Sequence, residues 1–235
     1  MVLPAKIFEI KEKLALGLIL QKLKNYREEV LYQMANGETI TLITEILNLS
    51  AKENLINGIF SEDFIQNRQY RGQVIEAPVT EEATFWITFH NNRIFLIIVA
   101  PSVARGIKKM LSSHIANKLG KIIFISSRII VETRIPHEIL KTLHESNPQA
   151  TRLIWFDQFD LPGIEKLCLA GSDLADSKLY QEYLIHGQIW YVVFESQKRG
   201  LTIGITRNSV ITIFSKSTKD ELIEYIRLDI LELIE

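Results

Sequence analysis

Four acids fall close together in the chain, Asp157, Asp160, Glu165 and Asp173, and clustered carboxylate oxygens are what a hard divalent cation needs. Their spacing matches no calcium-binding loop, and acids beside a strand turn ordinarily face water. Five histidines, His90, His114, His137, His144 and His186, show no metal-binding repeat such as H-x-x-x-H; His137 and His144 alone fall where one short helix would carry both. The single cysteine, Cys168, sits in the apolar run IEKLCLAG with no activating base beside it, so it reads as buried packing in a reducing compartment. G-x-S-x-G, Walker and G-x-G-x-x-G patterns are absent, which removes the commonest sequence arguments for a hydrolase, a nucleotide-hydrolysing enzyme or a dinucleotide enzyme. The expectation is a protein without catalytic residues, metal ligands or cofactor.

Residues suited to contact rather than catalysis are better represented. Leu179, Tyr180, Tyr183 and Leu184 share one helical segment and cannot all point into one small core; tyrosine suits a site with one apolar and one wet end. Trp155, Trp190 and Tyr191 lie in strand-like runs, where alternation leaves them half buried or at an interface. A basic group, Arg105, Lys108 and Lys109 with Lys118, follows Pro101 on a segment whose apolar stripe points elsewhere, which offers an acidic partner a surface.

These residues must be positioned by folded elements. In 235 residues, 47% hydrophobic and 23% charged, there is enough apolar surface for a packed core. Lys and Arg number 27 against 28 Asp and Glu, a net charge of −1; balance of this kind removes the electrostatic reason to expect nucleic acid or an anionic membrane as partner. The apolar stretch LALGLIL is bracketed by Lys11, Lys13, Lys22 and Lys24 and is too short to span a bilayer; no small-residue cleavage site follows it. A cytoplasmic location is expected.

Periodicity predicts an amphipathic helix over 5–28, from Ile7, Ile10, Leu14 and Leu18. ETITLITEIL over 38–47 reads as strand, with helix the alternative. Ser50-Ala51-Lys52-Glu53 has the form of a capping box and predicts a helix carrying Leu55, Ile56, Ile59 and Phe60. QVIEAPV, ATFWITF and RIFLIIVA then read as three strands, the last two joined at Asn91-Asn92. A helix from Pro101 ends at Gly120, and 121–131 reads as an added strand. The second half predicts a short helix from Pro136, strands ATRLIWF and IEKLCLA around Asp160-Leu161-Pro162-Gly163, and a helix over 172–186. Strands QIWYVVFE, LTIGIT and VITIFS follow, then a closing helix capped by Thr218-Lys219-Asp220-Glu221. The span from Asn92 to Leu119 nearly equals that from Asn208 to Ile234, so the halves, 1–120 and 121–235, read as a repeated order of elements. The fold class is α+β, two similar antiparallel-sheet domains with flanking helices.

The second half resembles the roadblock/dynein-light-chain family, whose relatives are longin and profilin-like domains. The resemblance rests on LIWFDQFDLPG, on LCLAGSDL before the central helix, and on the meander QIWYVVFESQKRGLTIGITRNSVITIFSKS with its closing helix. It implies a non-catalytic scaffold or regulator that forms a homodimer through its sheet edge and central helix and binds a protein partner, a small Ras-like GTPase. Two further readings stand beside it. A hairpin and closing helix in two copies is similar to the saddle of the TATA-box-binding family, which would imply a nucleic-acid binder. A pocket between the halves would instead make a small-molecule sensor or enzyme.

Overall fold

A computed structural model describes residues 2–99, 111–124, 129–146, 148–196 and 198–235. In chain order the elements are β1 (Leu3–Ile10), α1 (Leu16–Leu23), β2 (Arg27–Gln33), β3 (Thr39–Lys52), β4 (Leu55–Tyr70), β5 (Gln73–His90), β6 (Arg93–Val99) and α2 (Leu111–Phe124). There follow β7 (Ile130–Glu132), α3 (His137–Glu145), β8 (Thr151–Asp157), β9 (Lys166–Ala170), α4 (Lys178–His186), β10 (Gln188–Ser196), β11 (Leu201–Thr206), β12 (Val210–Ile213) and α5 (Lys219–Tyr225). The protein is mixed α+β with antiparallel strand pairing, and it divides into two compact units, residues 10–131 and residues 1–9 with 132–235. The division falls later than the expected 120/121 boundary, and the N-terminal strand belongs with the C-terminal unit.

In the 10–131 unit the strands run in the order β2-β3-β4-β5-β6. The helix expected over 50–60 is absent: Ser50 and Glu53 lie in and beside the β3–β4 hairpin, where Glu53 adopts φ 54° and the Ser50 hydroxyl bonds the Asn57 side chain. Gly58 shows why this stretch is strand. A methyl group there would come within 2.9 Å of the Phe85 ring on the neighbouring strand, so the ring fills the space glycine leaves. The stretch 36–48, open between strand and helix, is strand from Thr39 onward, after a turn at 35–37, and the runs at 73–79 and 83–89 are one continuous β5 paired with β4. The Asn91-Asn92 hairpin is as expected, with φ of 47° and 60°. One sheet face carries Phe60, Phe85, Ile87, Leu96 and Ile98, all buried. Glu62 and Phe64, on that face, meet His114 of α2. α1 packs beside α2, and Lys22 donates to the Ile123 carbonyl at the negative end of the α2 dipole.

Two further expectations are corrected here. The helix predicted over 5–28 is strand over Leu3–Ile10 and helix only over Leu16–Leu23. Ala5, Ile7, Phe8 and Ile10 are all buried, so β1 is covered on both faces and its sequence shows no clean alternation. The strand expected at 121–131 is the end of α2, which passes Gly120 and reaches Phe124, followed by the short β7.

In the other unit the order is β1-β12-β11-β10-β8-β9, antiparallel throughout. The elements expected between Pro136 and the closing helix are present, except that the helix expected over 172–186 begins only at Lys178, capped by Ser177 after a tight turn over Leu174–Asp176. The Thr218 capping box is formed: Thr218 Oγ1 accepts from the Glu221 amide at 3.2 Å, and Glu221 Oε2 accepts from the Thr218 amide at 2.7 Å. The late hairpin turns at Ser209, φ 53°. Among the described residues the two units differ in their order of elements, because β2 to β6 follow one another after α1 without a helix between them, whereas α4 separates β9 from β10. What recurs is the late hairpin with its closing helix.

Candidate protein-binding surface

Alternation sorts the 132–235 sheet into two faces. Ile154, Phe156, Ile189, Val192, Ile203, Ile205, Ile211 and Ile213 point one way and are fully buried. α3 and α4 pack on this side: the Ile189 amide donates to His137 Nδ1 at 2.9 Å, and Tyr180 meets the Phe156 ring at 6.1 Å. Leu153, Trp155 and Tyr191 point the other way and are half exposed, with Cys168 and Phe214 exposed beside them. Trp155 stands between Cys168 and Tyr191 in the cross-strand register.

A bulge in β10 between Ile189 and Tyr191 re-aims the strand, and the Trp190 ring comes to 6.0 Å from that of Tyr191. Lys166 Nζ lies 5.9 Å from the Trp190 centroid, a cation over an aromatic face. Tyr191 Oη and Phe214 Cε2, the latter at 2.9 Å, occupy the space a Cβ at Gly204 would need, so glycine lets these rings lie flat on the sheet. Burial raises the Tyr191 hydroxyl above its ordinary pKa, and partial desolvation by the neighbouring side chains does the same for the exposed Cys168 thiol, so both stay protonated at neutral pH. Arg207 closes one end of the patch, bonding Asp157 at 2.8 Å and Gln188 at 3.0 Å.

The structure thus brings Trp155, Trp190 and Tyr191 together on one face and sets the α4 candidates on the other side of the sheet. Tyr180 is a correction, being wholly buried: its hydroxyl donates to Glu145 Oε1 at 2.7 Å and meets His144 Nε2 at 2.7 Å. Tyr183 stands edge-on to Phe159 at 6.2 Å, and Leu179 is exposed. Ile185, on the same helix, is 79% exposed, and no sequence pattern marks it. Cys168 is a second correction: it is exposed on the edge strand instead of packed. Its neighbours Leu167 and Leu169 turn toward the core side, and alternation carries the thiol outward. Arg105, Lys108 and Lys109 lie outside the described residues; Lys118 forms an ion pair with Glu62 at 3.4 Å.

The remaining chemical candidates are occupied otherwise. Asp160 bonds His186 at 2.9 Å, Asp157 holds Arg207, and Asp173 sits in a left-handed turn, φ 52°. Among the described residues no group of three His, Cys, Asp or Glu could hold a metal ion. None of the described helices is long and apolar enough to cross a membrane. A polar opening of about 370 Å³ is lined by Arg134, His137, Gln188, Arg207 and Asn208, residues that no sequence motif marks. No known family model matches the chain, and a search of curated proteins gives no match.

Proposed function

We propose that the protein is a non-catalytic scaffold whose working surface is the half-exposed aromatic face and the edge strand β9 of the 132–235 sheet, and that it self-associates there. The observation that carries this reading is the grouping of Trp155, Trp190 and Tyr191 on the face opposite α3 and α4, ending at the edge strand β9. Tryptophan and tyrosine dominate the energetics of protein interfaces because they bury large rigid areas at small entropic cost. An open strand edge supplies unpaired backbone donors and acceptors to the same partner. The roadblock resemblance adds a small Ras-like GTPase as the second partner class, bound by the assembled scaffold.

Sedimentation velocity on the full chain tests the reading against a Trp155→Lys variant, which places a charge at the centre of the aromatic face. The wild-type chain shifts to a faster-sedimenting species as concentration rises, and the variant weakens that shift at least tenfold in concentration, the size expected when a central aromatic anchor is lost. Equal self-association by the two chains would overturn the assignment of the surface.

A further inference from the structure

Among the described residues β9 pairs with one strand, β8, and ends its sheet. Gly171 donates to the Arg152 carbonyl at 3.1 Å, so in the register with β8 the hydrogen-bonded positions are Gly171, Leu169 and Leu167. Lys166, Cys168 and Ala170 therefore direct their amide and carbonyl groups away from β8, toward the open edge. We propose that this edge pairs with β9 of a second copy of the chain, antiparallel about a twofold axis at Cys168; the inference rests on the self-association proposed above and names its seam.

The register is self-complementary. Centring on Cys168 overlaps the whole strand: Cys168 faces its own copy, Lys166 faces Ala170, and Leu167 faces Leu169 on the core side. Every outward group on the strand then finds a partner. No charge opposes a like charge, since Lys166 is the strand's only ionised residue. β2, the end strand of the other unit's sheet, carries Arg27, Glu28 and Glu29 in seven residues, the kind of charge that guards an edge against pairing. The joined sheet would also set the two aromatic faces side by side, with Trp155 next to the seam on each.

Two measurements on the full chain test this. Cys168 is the protein's single cysteine, so a short bismaleimide, adding each thiol across a maleimide double bond, can link two chains only through it. Directly opposed residues in a hydrogen-bonded antiparallel pair lie about 5.5 Å apart at Cα, and the reagent should convert the wild-type dimer to a covalent one, with Cys168→Ser as the blank. Ala170 faces Lys166 of the other copy, so Ala170→Glu should tighten the dimer about fivefold and Ala170→Lys weaken it about fivefold, two symmetry-related pairs contributing in each case. The opposite signs distinguish a seam from simple loss of folding. A dimer that neither cross-links nor separates the two charges would overturn this seam while leaving the scaffold reading in place. A chain monomeric at every concentration would overturn both the seam and the proposed self-association.

Discussion

Replacing His144 by glutamine takes a titrating ring out of the core of the 132–235 unit, and the consequence can be worked out from its contacts. The ring is fully buried, 4.9 Å from Tyr180 and edge-on to it. The Tyr180 hydroxyl donates its one proton to Glu145, so its oxygen accepts from His144 Nε2–H, and this leaves Nδ1 as a bare lone pair with no partner. Acid would add the second proton at Nδ1, where no acceptor waits. Burial accordingly pushes the His144 pKa down to about 4, against 6.5 for the free side chain, with Glu145 opposing the shift and Lys141 adding to it. Because the folded value is the lower one, the folded state binds fewer protons than the unfolded chain. The contribution to stability is therefore whole above pH 6.5 and is lost as pH falls toward 4. A shift from 6.5 to about 4 corresponds to about 3 kcal/mol. The assay is urea unfolding at steps from pH 7.5 to 4, followed by tryptophan emission, for the wild-type chain and His144→Gln. At pH 7.5 the variant should be less stable by about 1 kcal/mol, the worth of a buried hydrogen bond. The wild type should then lose ground to it steadily below pH 6.5, because the variant lacks the titration while carboxylate effects cancel between the two. A difference that stays constant across the range would refute the burial argument.

Two other substitutions probe the elements that shape the surface. Gly204→Val forces a side chain into the space of Tyr191 and Phe214, and should destabilise the chain by about 1–3 kcal/mol and redshift tryptophan emission as the aromatic face loosens. Thr218→Ala removes the Oγ1 acceptor of the capping box and should cost about 1 kcal/mol in denaturant unfolding, with self-association unchanged because α5 is not part of the proposed surface.

The sequence was most legible where short elements are bounded by strong local signals. From Pro136 onward, turns at Gly163 and Ser209 and the cap at Thr218 delimit strands and helices whose tertiary setting agrees with their local preference. The same S/T-x-x-E pattern failed at Ser50, because a cap signal is local while the β3–β4–β5 meander is held by pairing along its whole length, with Phe85 seated over Gly58. β1 misled for a different reason: a strand buried on both faces has no alternation to read, and its apolar residues fall by chance at helical spacing.

The candidate surface divides along similar lines. Trp155 between Ile154 and Phe156 was readable as the outward member of an alternating strand, and its pairing with Tyr191 follows once the strands are aligned. Tyr180 was not readable, because a buried tyrosine needs a partner for its hydroxyl and that partner, Glu145, lies on another helix 35 residues away in sequence. The exposure of Cys168 depends on β9 being the last strand of its sheet, a fact of topology that no local pattern carries. Phe214 and Ile185 stand at the surface without any sequence signal that marks them.

Hydrogen exchange of the full chain at low and high protein concentration locates the working surface directly. Self-association through the 132–235 sheet edge predicts that raising the concentration slows exchange in the segment spanning β8 and β9, with Lys166, Cys168 and Ala170 gaining most, while β2 exchanges as before. Protection that arises in β2 or on α4 instead, or exchange that is the same at both concentrations, would contradict the account.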